Sequence, residues 1–379
     1  MASPAMGADK PRRHQVADIL RDHAHGLRLT GPQARAVRDI VACRTEQLGG
    51  HLEVCPHCGF SRGSYNSCRN RHCPKCQILK QELWAEAQEA LLLPTVYFQF
   101  VFTIPRQLHP FFPRAPKVCL TLLFEAVSQT LLEVARTKLK ATIGFTAVLH
   151  TWNQQLGFHP HLHCVVPAGG LSLDRLRWIA TSKRFFLPVK KLRRGFRGKL
   201  LSKIERALRT GEIRGDLAKG LALLRGTPKK WNVYVKRPLA GPGHVVRYLS
   251  RYVHRIAIAN SRITHYDGKS VTFRYKDRTE GNLPKPRTVG GPEFAELFLQ
   301  HVLPPRFVRI RHYGILAMKR RDHLARCREL LGARPPASAQ KDTSWVVAHE
   351  RLFGSNPLRC PACKTGVLLV TRVLPPMRR

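Results

Sequence analysis

Hydrophobic positions recur at two periods along this chain, and the switches between them mark its elements. Residues 11–48 read as one or two basic helices, the second opening at the Thr-Gly-Pro turn of "LTGPQARAVRDIVAC". A helix is expected over about 78–93, "ILKQELWAEAQEALLL", stopped by Pro94. "TVYFQFVFTIP" reads as an apolar-aromatic strand, and "PKVCLTLLFEAVSQTLLEVARTKLK" as a long amphipathic helix. In "FTAVLHTWNQQLGFHPHLHCVVP", residues 145–167, an apolar run ends at His150, a polar turn-like stretch follows, and an extended run resumes. That is a hairpin pattern. Helical spacing returns over 244–263 through Val245, Val246, Leu249, Val253, Ile256 and Ala257, with Gly243 ahead of the run. "ITHYDGKSVTFRYKDR" reads as a second hairpin, turning at Asp267–Gly268. Strand, helix, hairpin and later helix predict an α+β fold, a central antiparallel sheet covered by helices.

Three regions are expected: 1–93 with N-terminal helices and a cysteine module, 94–320 with the main sheet, and 321–379 as a C-terminal tail with the last knuckle, Pro- and Ser-rich and loosely attached beyond about 333. There is no internal repeat. No long apolar run suggests a bilayer span, and "MASPAMGADKPRRHQ" lacks the apolar stretch of a signal peptide, so a soluble intracellular protein is expected.

Charge narrows the partners. Lys and Arg number 65 against 24 acids, a net charge of +41 spread along the whole length, which suits a polyanion such as nucleic acid. A membrane surface fits less well, because no basic amphipathic segment offers an apolar face. Residues 183–237 carry eighteen Lys or Arg against three acids and read as a basic insert. Its Phe185, Phe186, Phe196 and Trp231 suggest base stacking on a single strand while cations follow the phosphates.

Six of eleven cysteines fall in three C-x2-C pairs, a metal-binding rather than a disulfide pattern. "HLEVCPHCGFSRGSYNSCRNRHCPKCQ" holds two C-x2-C knuckles, Cys55 with Cys58 and Cys73 with Cys76, spaced for one four-thiolate structural Zn2+ site. Cys68 and His72 lie between them and could replace a thiolate or belong to a second site. Arg62, Arg69, Arg71 and Lys75 among the ligands would make the knuckle a phosphate-contacting surface. Cys360 and Cys363 form half a site, which His323 and Cys327 could complete.

The hairpin at 145–167 carries the other cluster. His159, His161 and His163 alternate along one strand and so share a face, and the hairpin can bring His150 beside them. On the 244–263 helix Tyr248 and Tyr252 are four apart on one face, with Arg247, Arg251 and Arg255 repeating beside them to hold phosphates. A tyrosine hydroxyl attacks a phosphodiester poorly unless the phosphate is polarised, which a histidine-held divalent ion can do. Two tyrosines allow two successive transesterifications with no nucleotide hydrolysed, and neither G-x-x-x-x-G-K-[ST] nor G-x-G-x-x-G is present.

At these residues the chain resembles a known family. The "HLH" of His161–His163 looks like the motif of HUH endonucleases, and Tyr248 and Tyr252 like the nucleophile pair of their two-tyrosine branch. With "YNSCRNRHCPKCQ" ahead of them, the whole resembles the rolling-circle transposases named after insertion sequence 91. The resemblance implies an HUH-type sheet and nicking of single-stranded DNA ends through a 5′-phosphotyrosine. It also implies an Mg2+ or Mn2+ cofactor and a bacterial cytoplasmic, nucleoid-associated setting. His161 and His163 would then be metal ligands and Tyr248 and Tyr252 nucleophiles. For the third ligand His150 has the best spacing, ahead of His159, Gln154 and Gln155. Replication initiators and relaxases share this chemistry, and a non-catalytic zinc-dependent DNA-binding protein would explain only the charge and the knuckles.

Overall fold

The computed structural model describes residues 14–76, 79, 92–181, 187–239, 257–277, 279–333 and 345–377. Two short helices come first, α1 (Val16–His23) and α2 (Gly31–Val41). The Thr-Gly-Pro-Gln turn ahead of α2 is a capping box: the Thr30 N–H donates to Gln33 Oε1 at 2.9 Å, and Pro32 sits in the first turn, where its missing donor costs nothing. The hairpin β1 (Gly50–Val54) and β2 (Ser61–Tyr65) carries the first cysteine knuckle at its tip. The helix expected at 78–93 lies almost wholly outside the described residues.

β3 (Tyr97–Thr103), α3 (Pro116–Leu139) and β4 (Ala141–Thr142) lead into the hairpin β5 (Gly144–Trp152) and β6 (Phe158–Pro167). After it come β7 (Gly169–Ser172), β8 (Trp178–Ala180), α4 (Val189–Arg209), α5 (Leu217–Arg225) and β9 (Asn232–Leu239). The described chain continues with β10 (Ile263–Tyr266), β11 (Ser270–Asp277), β12 (Leu283–Gly290), α6 (Gly291–Leu299) and β13 (Ile310–Gly314). It closes with α7 (Arg321–Leu330), α8 (Trp345–Phe353) and β14 (Leu369–Leu374).

The central sheet has the order β13-β5-β6-β3-β9, every neighbour antiparallel, so the α+β expectation holds. Period-two alternation gives this sheet two unlike faces. Phe98, Phe100 and Phe102 of β3, Phe145, Ala147 and Leu149 of β5, and Leu162, Cys164 and Val166 of β6 face one core. α3 and α4 cover it with Leu123, Phe124, Val127, Leu192, Phe196 and Leu200. Each such side chain contributes on the order of 1.5–3 kcal/mol on leaving water. The alternate residues, Gln99, Thr103, His150, His161 and His163, therefore fall on the opposite face. α3 has the length and composition of a membrane span, but 67% of that stretch is buried inside the protein, as suits a core helix.

Two expectations change here. The 183–237 stretch is not an insert: α4 packs on α3, and β9 is the edge strand of the central sheet. Phe196 and Trp231 are 0% and 2% exposed, with rings 5.2 Å apart, so neither can stack on a base; Phe185 and Phe186 lie outside the described residues. The packing also crosses the boundaries expected at 93 and 321. α1 and α2 share a second core with Ile263, Val271, Phe273, Phe294 and Phe298. The C-terminal strand β14 pairs antiparallel with β1, from Gly50 opposite Leu374 to Val54 opposite Leu369.

Candidate metal centres

β5 and β6 place His150 directly opposite His161, while His161 and His163 face Thr103 and Val101 of β3 across the other ladder. Imidazole centroids lie 5.4 Å apart for His150 and His161, 4.6 Å for His150 and His163, and 4.9 Å for His161 and His163. One ligand nitrogen from each lies within 4.8 Å of the other two, a spacing that small ring rotations close around an ion with bonds of about 2.1 Å. His150 and His163 are buried and His161 is half-buried, so the cluster opens on the His161 side. The His159 ring lies 5.2 Å from that of His161 but does not join the three.

Neighbouring groups fix which nitrogens can bind. His161 Nδ1 is 2.6 Å from the His159 carbonyl oxygen, which only accepts, so Nδ1 holds the proton and Nε2 keeps its lone pair. His163 Nδ1 is 2.7 Å from Nε2 of the buried Gln99 amide, whose Oε1 is buried with no hydrogen-bond partner. In that orientation the amide donates to Nδ1. For Nε2 of His163 to offer a metal its lone pair, Nδ1 must donate instead, so metal binding calls for the amide turned over, which also gives its orphaned oxygen a partner. Three imidazoles converging in this way fit a divalent first-row ion.

His150 is supported from its other side. Its ring stacks on Trp152 at 4.7 Å, and Trp152 meets the ring of His301 at 5.9 Å. His301 is buried and lies 2.9 Å through Nε2 from the Leu156 carbonyl and 3.2 Å through Nδ1 from the Thr151 hydroxyl. It thereby ties the β5–β6 turn, where Leu156 is left-handed at φ 66° and Asn153 Oδ1 accepts the N–H groups of Gln155 and Gly157. Burial pushes the His301 pKa down to about 4, so it is neutral at pH 7. His301 escaped the sequence reading because a lone histidine after a helix carries no pattern. His72 serves in the same wall: its Nε2 accepts the Leu303 N–H at 3.3 Å, and burial, with Arg309 and Arg71 nearby, holds it down to about 3. A cavity of about 10 Å³, room for one water at most, lies among His72, Trp152, Ala257, His301 and Arg309.

The cysteines pair differently from the expected Cys55, Cys58, Cys73 and Cys76 set. Cys73 and Cys76 gather with Cys43 and Cys68, and Cys55 and Cys58 gather with Cys360 and Cys363. In the first group Cys43 and Cys76 sulfurs are 3.3 Å apart and those of Cys68 and Cys76 3.6 Å; in the second Cys58 and Cys360 are 3.6 Å apart and Cys55 and Cys363 3.8 Å. Four thiolates around Zn2+ with bonds of about 2.3 Å sit about 3.7 Å apart, so both groups fit the ion. Knuckle spacing cannot say which knuckle meets which, and the sheet decides: β1–β2 carries Cys55 and Cys58 to the C-terminal knuckle. His72 ligates neither group. Of the proposed completion of the C-terminal knuckle, Cys327 is instead packed in α7 with Leu93, Leu171 and Leu316, and His323 is buried on the same helix.

Of the arginines expected at DNA, Arg69 is exposed, whereas Arg71 is half-buried and donates to the Phe307 carbonyl at 2.5 Å, an internal tie. Tyr248, Tyr252, Arg247, Arg251 and Arg255 lie outside the described residues. The described chain resumes at Ala257, buried with Ile258 beside Cys73, Cys76 and Leu156.

A basic chain with a histidine-bearing antiparallel sheet and two four-cysteine clusters fits the class of zinc-binding nucleic-acid proteins. The comparisons say which. The family model described as "Transposase zinc-binding domain" matches residues 13–104, and that described as "Putative transposase" matches 144–323. The chain is 42% identical over 380 residues to "Putative transposase y4qJ" of Sinorhizobium fredii, covering 95% of each. It is 25% identical over 349 residues to "Transposase for insertion sequence element IS801" of Pseudomonas savastanoi pv. phaseolicola, covering 87% of this chain and 82% of the relative. No solved structure matches it. The chain belongs to the transposases of the insertion sequence 91 family, with an N-terminal zinc-binding domain, and DNA is its partner.

Proposed function

We propose that this transposase nicks and rejoins single-stranded ends of its element by tyrosine transesterification, with Tyr248 and Tyr252 as nucleophiles. The observation that carries the reading is the convergence of His150, His161 and His163 on the sheet face away from α3 and α4, with His161 Nδ1 held by the His159 carbonyl so that its Nε2 is free to bind. These residues would hold an Mg2+ or Mn2+ ion, which when bound polarises the scissile phosphate. The tyrosine-bearing segment supports the reading through chain length. Tyr252 precedes Ala257 by five residues, which span at most about 18 Å, and Ala257 lines the same small cavity as Trp152, the ring stacked on His150.

The step balances without a nucleotide. The tyrosine oxygen bonds to phosphorus, the bond from phosphorus to the 3′ oxygen breaks, and the leaving oxygen takes up a proton in place of the one the phenol loses. The 5′ end stays on the enzyme, and attack by another 3′ hydroxyl reverses the step on a new strand. Arg247, Arg251 and Arg255 would hold flanking phosphates, and Arg69 lies on the exposed zinc-module surface. The setting we assign is the bacterial cytoplasm, at the nucleoid. End-labelled single strands carrying an element end test this: with Mn2+ they should yield a free 3′-hydroxyl product, lost in His161→Ala. Undiminished cleavage by His161→Ala, or cleavage unaffected by chelation, would overturn the metal assignment.

A further inference from the structure

The second cysteine group joins residues from opposite ends of the sequence: Cys55 and Cys363 are separated by 308 positions and Cys58 and Cys360 by 302. Cys360 and Cys363 lie outside both segments matched by the family models, 13–104 and 144–323. The two knuckles share one backbone design. Gly59 N–H donates to the Cys55 carbonyl and Lys364 N–H to the Cys360 carbonyl, and the residue after each second cysteine is left-handed, Gly59 at φ 72° and Lys364 at φ 59°. Cys55 N–H closes the first loop onto the Phe60 carbonyl, and Cys360 N–H closes the second onto that of Gly366. Gly366 N–H donates to Cys363 Sγ at 3.3 Å, and a Cβ on Gly366 would lie 2.4 Å from Cys55 Sγ. Two facing knuckles with sulfurs 3.6 to 3.8 Å apart make a ribbon-type thiolate site.

Packing alone does not explain why the C-terminal segment stays there. Leu369, Val370 and Val373 of β14 are 53%, 60% and 75% exposed, and the apolar cluster beneath is only Cys55, Cys360 and Leu368, with Phe60 and Cys363 at its edge. The other group differs, since Cys43, Cys73 and Cys76 sit within the large core shared by α1, α2 and α6. Backbone pairing with β1, the Arg62 bond to the Pro357 carbonyl at 2.8 Å and the Thr371 bond to the Leu52 carbonyl at 3.3 Å complete the attachment. We infer that the chain holds two structural Zn2+ ions, and that the second, on Cys55, Cys58, Cys360 and Cys363, clamps the C-terminal segment onto β1. The N-terminal zinc module is therefore finished only when the last residues of the chain arrive.

Cysteine footprinting of the full-length, zinc-loaded protein under a phosphine reductant tests this, read by mass spectrometry after alkylation. Cys58 is exposed and Cys363 half-buried, so both should alkylate readily unless a metal shields them. The expected result is protection of both, lost together on chelation. The double change Cys360→Ser with Cys363→Ser should remove one zinc equivalent and expose Cys55 and Cys58, leaving Cys43, Cys68, Cys73 and Cys76 shielded. Alkylation of Cys363 in the loaded wild type, with Cys58 still protected, would overturn the clamp, as would unchanged zinc content in the double variant. The wild-type footprint decides even if the variant misfolds, and neither readout depends on DNA cleavage.

Discussion

Replacing Gln99 by Leu keeps the volume of a buried side chain on β3 and removes the amide whose nitrogen lies 2.7 Å from His163 Nδ1 and whose oxygen, with the amide turned over as metal binding through Nε2 requires, accepts the Nδ1 proton. The loss leaves a buried N–H without that partner, about 1–3 kcal/mol, and frees the ring to rotate or change tautomer. Since His163 can bind a metal through Nε2 only while Nδ1 is protonated, the cost falls on metal affinity. At about 1.4 kcal/mol per tenfold, the range corresponds to roughly five- to 150-fold, in line with the 10–100-fold effects of orienting partners at metal sites. The assay is Mn2+ binding to zinc-replete protein, followed by the loss of the free-ion electron paramagnetic resonance signal. Gln99→Leu should raise the dissociation constant on the order of 10–100-fold. Gln99→Glu, whose carboxylate accepts the same proton, should recover most of the affinity. A folded Gln99→Leu variant that binds Mn2+ as the wild type does would refute the positioning role of Gln99.

Other predictions follow from the packing. Phe196→Ala empties a fully buried site between Phe102 and Trp231 and should cost about 3–5 kcal/mol in urea unfolding, with DNA affinity unchanged while the protein is folded. A selective loss of single-strand affinity would instead restore the stacking role. His301 is held at about 4 against an ordinary value near 6.5, so the unfolded chain binds its proton first. Its contribution to stability should be whole above about pH 6.5 and fall away toward pH 4, and His301→Gln should flatten that part of the pH–stability curve; an unchanged slope would exclude His301 as a source. Gly366→Ala, with its Cβ pressed onto Cys55 Sγ, should lower the zinc content by up to one equivalent, and full retention would show that the knuckle can shift.

What the sequence disclosed follows from the range of each signal. Strand alternation is local, so one face of β6 and the His150 pairing across a short turn were both readable. The thiolate partners were not, because C-x2-C spacing fixes a knuckle but leaves the facing knuckle to tertiary structure, here an antiparallel pairing between β1 and β14. In α4 the positions Leu192, Phe196, Leu200 and Ile204 recur every four residues, a helix stripe readable in principle but masked by the surrounding Lys and Arg. The core shared by α1, α2, β11 and α6 likewise joins residues more than 200 positions apart, which no window along the chain displays. His301 and Gln99 act through single contacts and leave no periodic trace.

The most direct test of the transesterification account is the covalent adduct itself. Wild-type protein, Tyr248→Phe, Tyr252→Phe and the double variant would be incubated with single-stranded DNA from a cognate element end and Mn2+. Adducts would then be separated on a denaturing gel and digested for peptide mapping. The account predicts a 5′-linked adduct on the peptide carrying Tyr248 or Tyr252, absent from the double variant. Tight binding of the true end without any adduct, or an adduct that survives in the double variant, would contradict it.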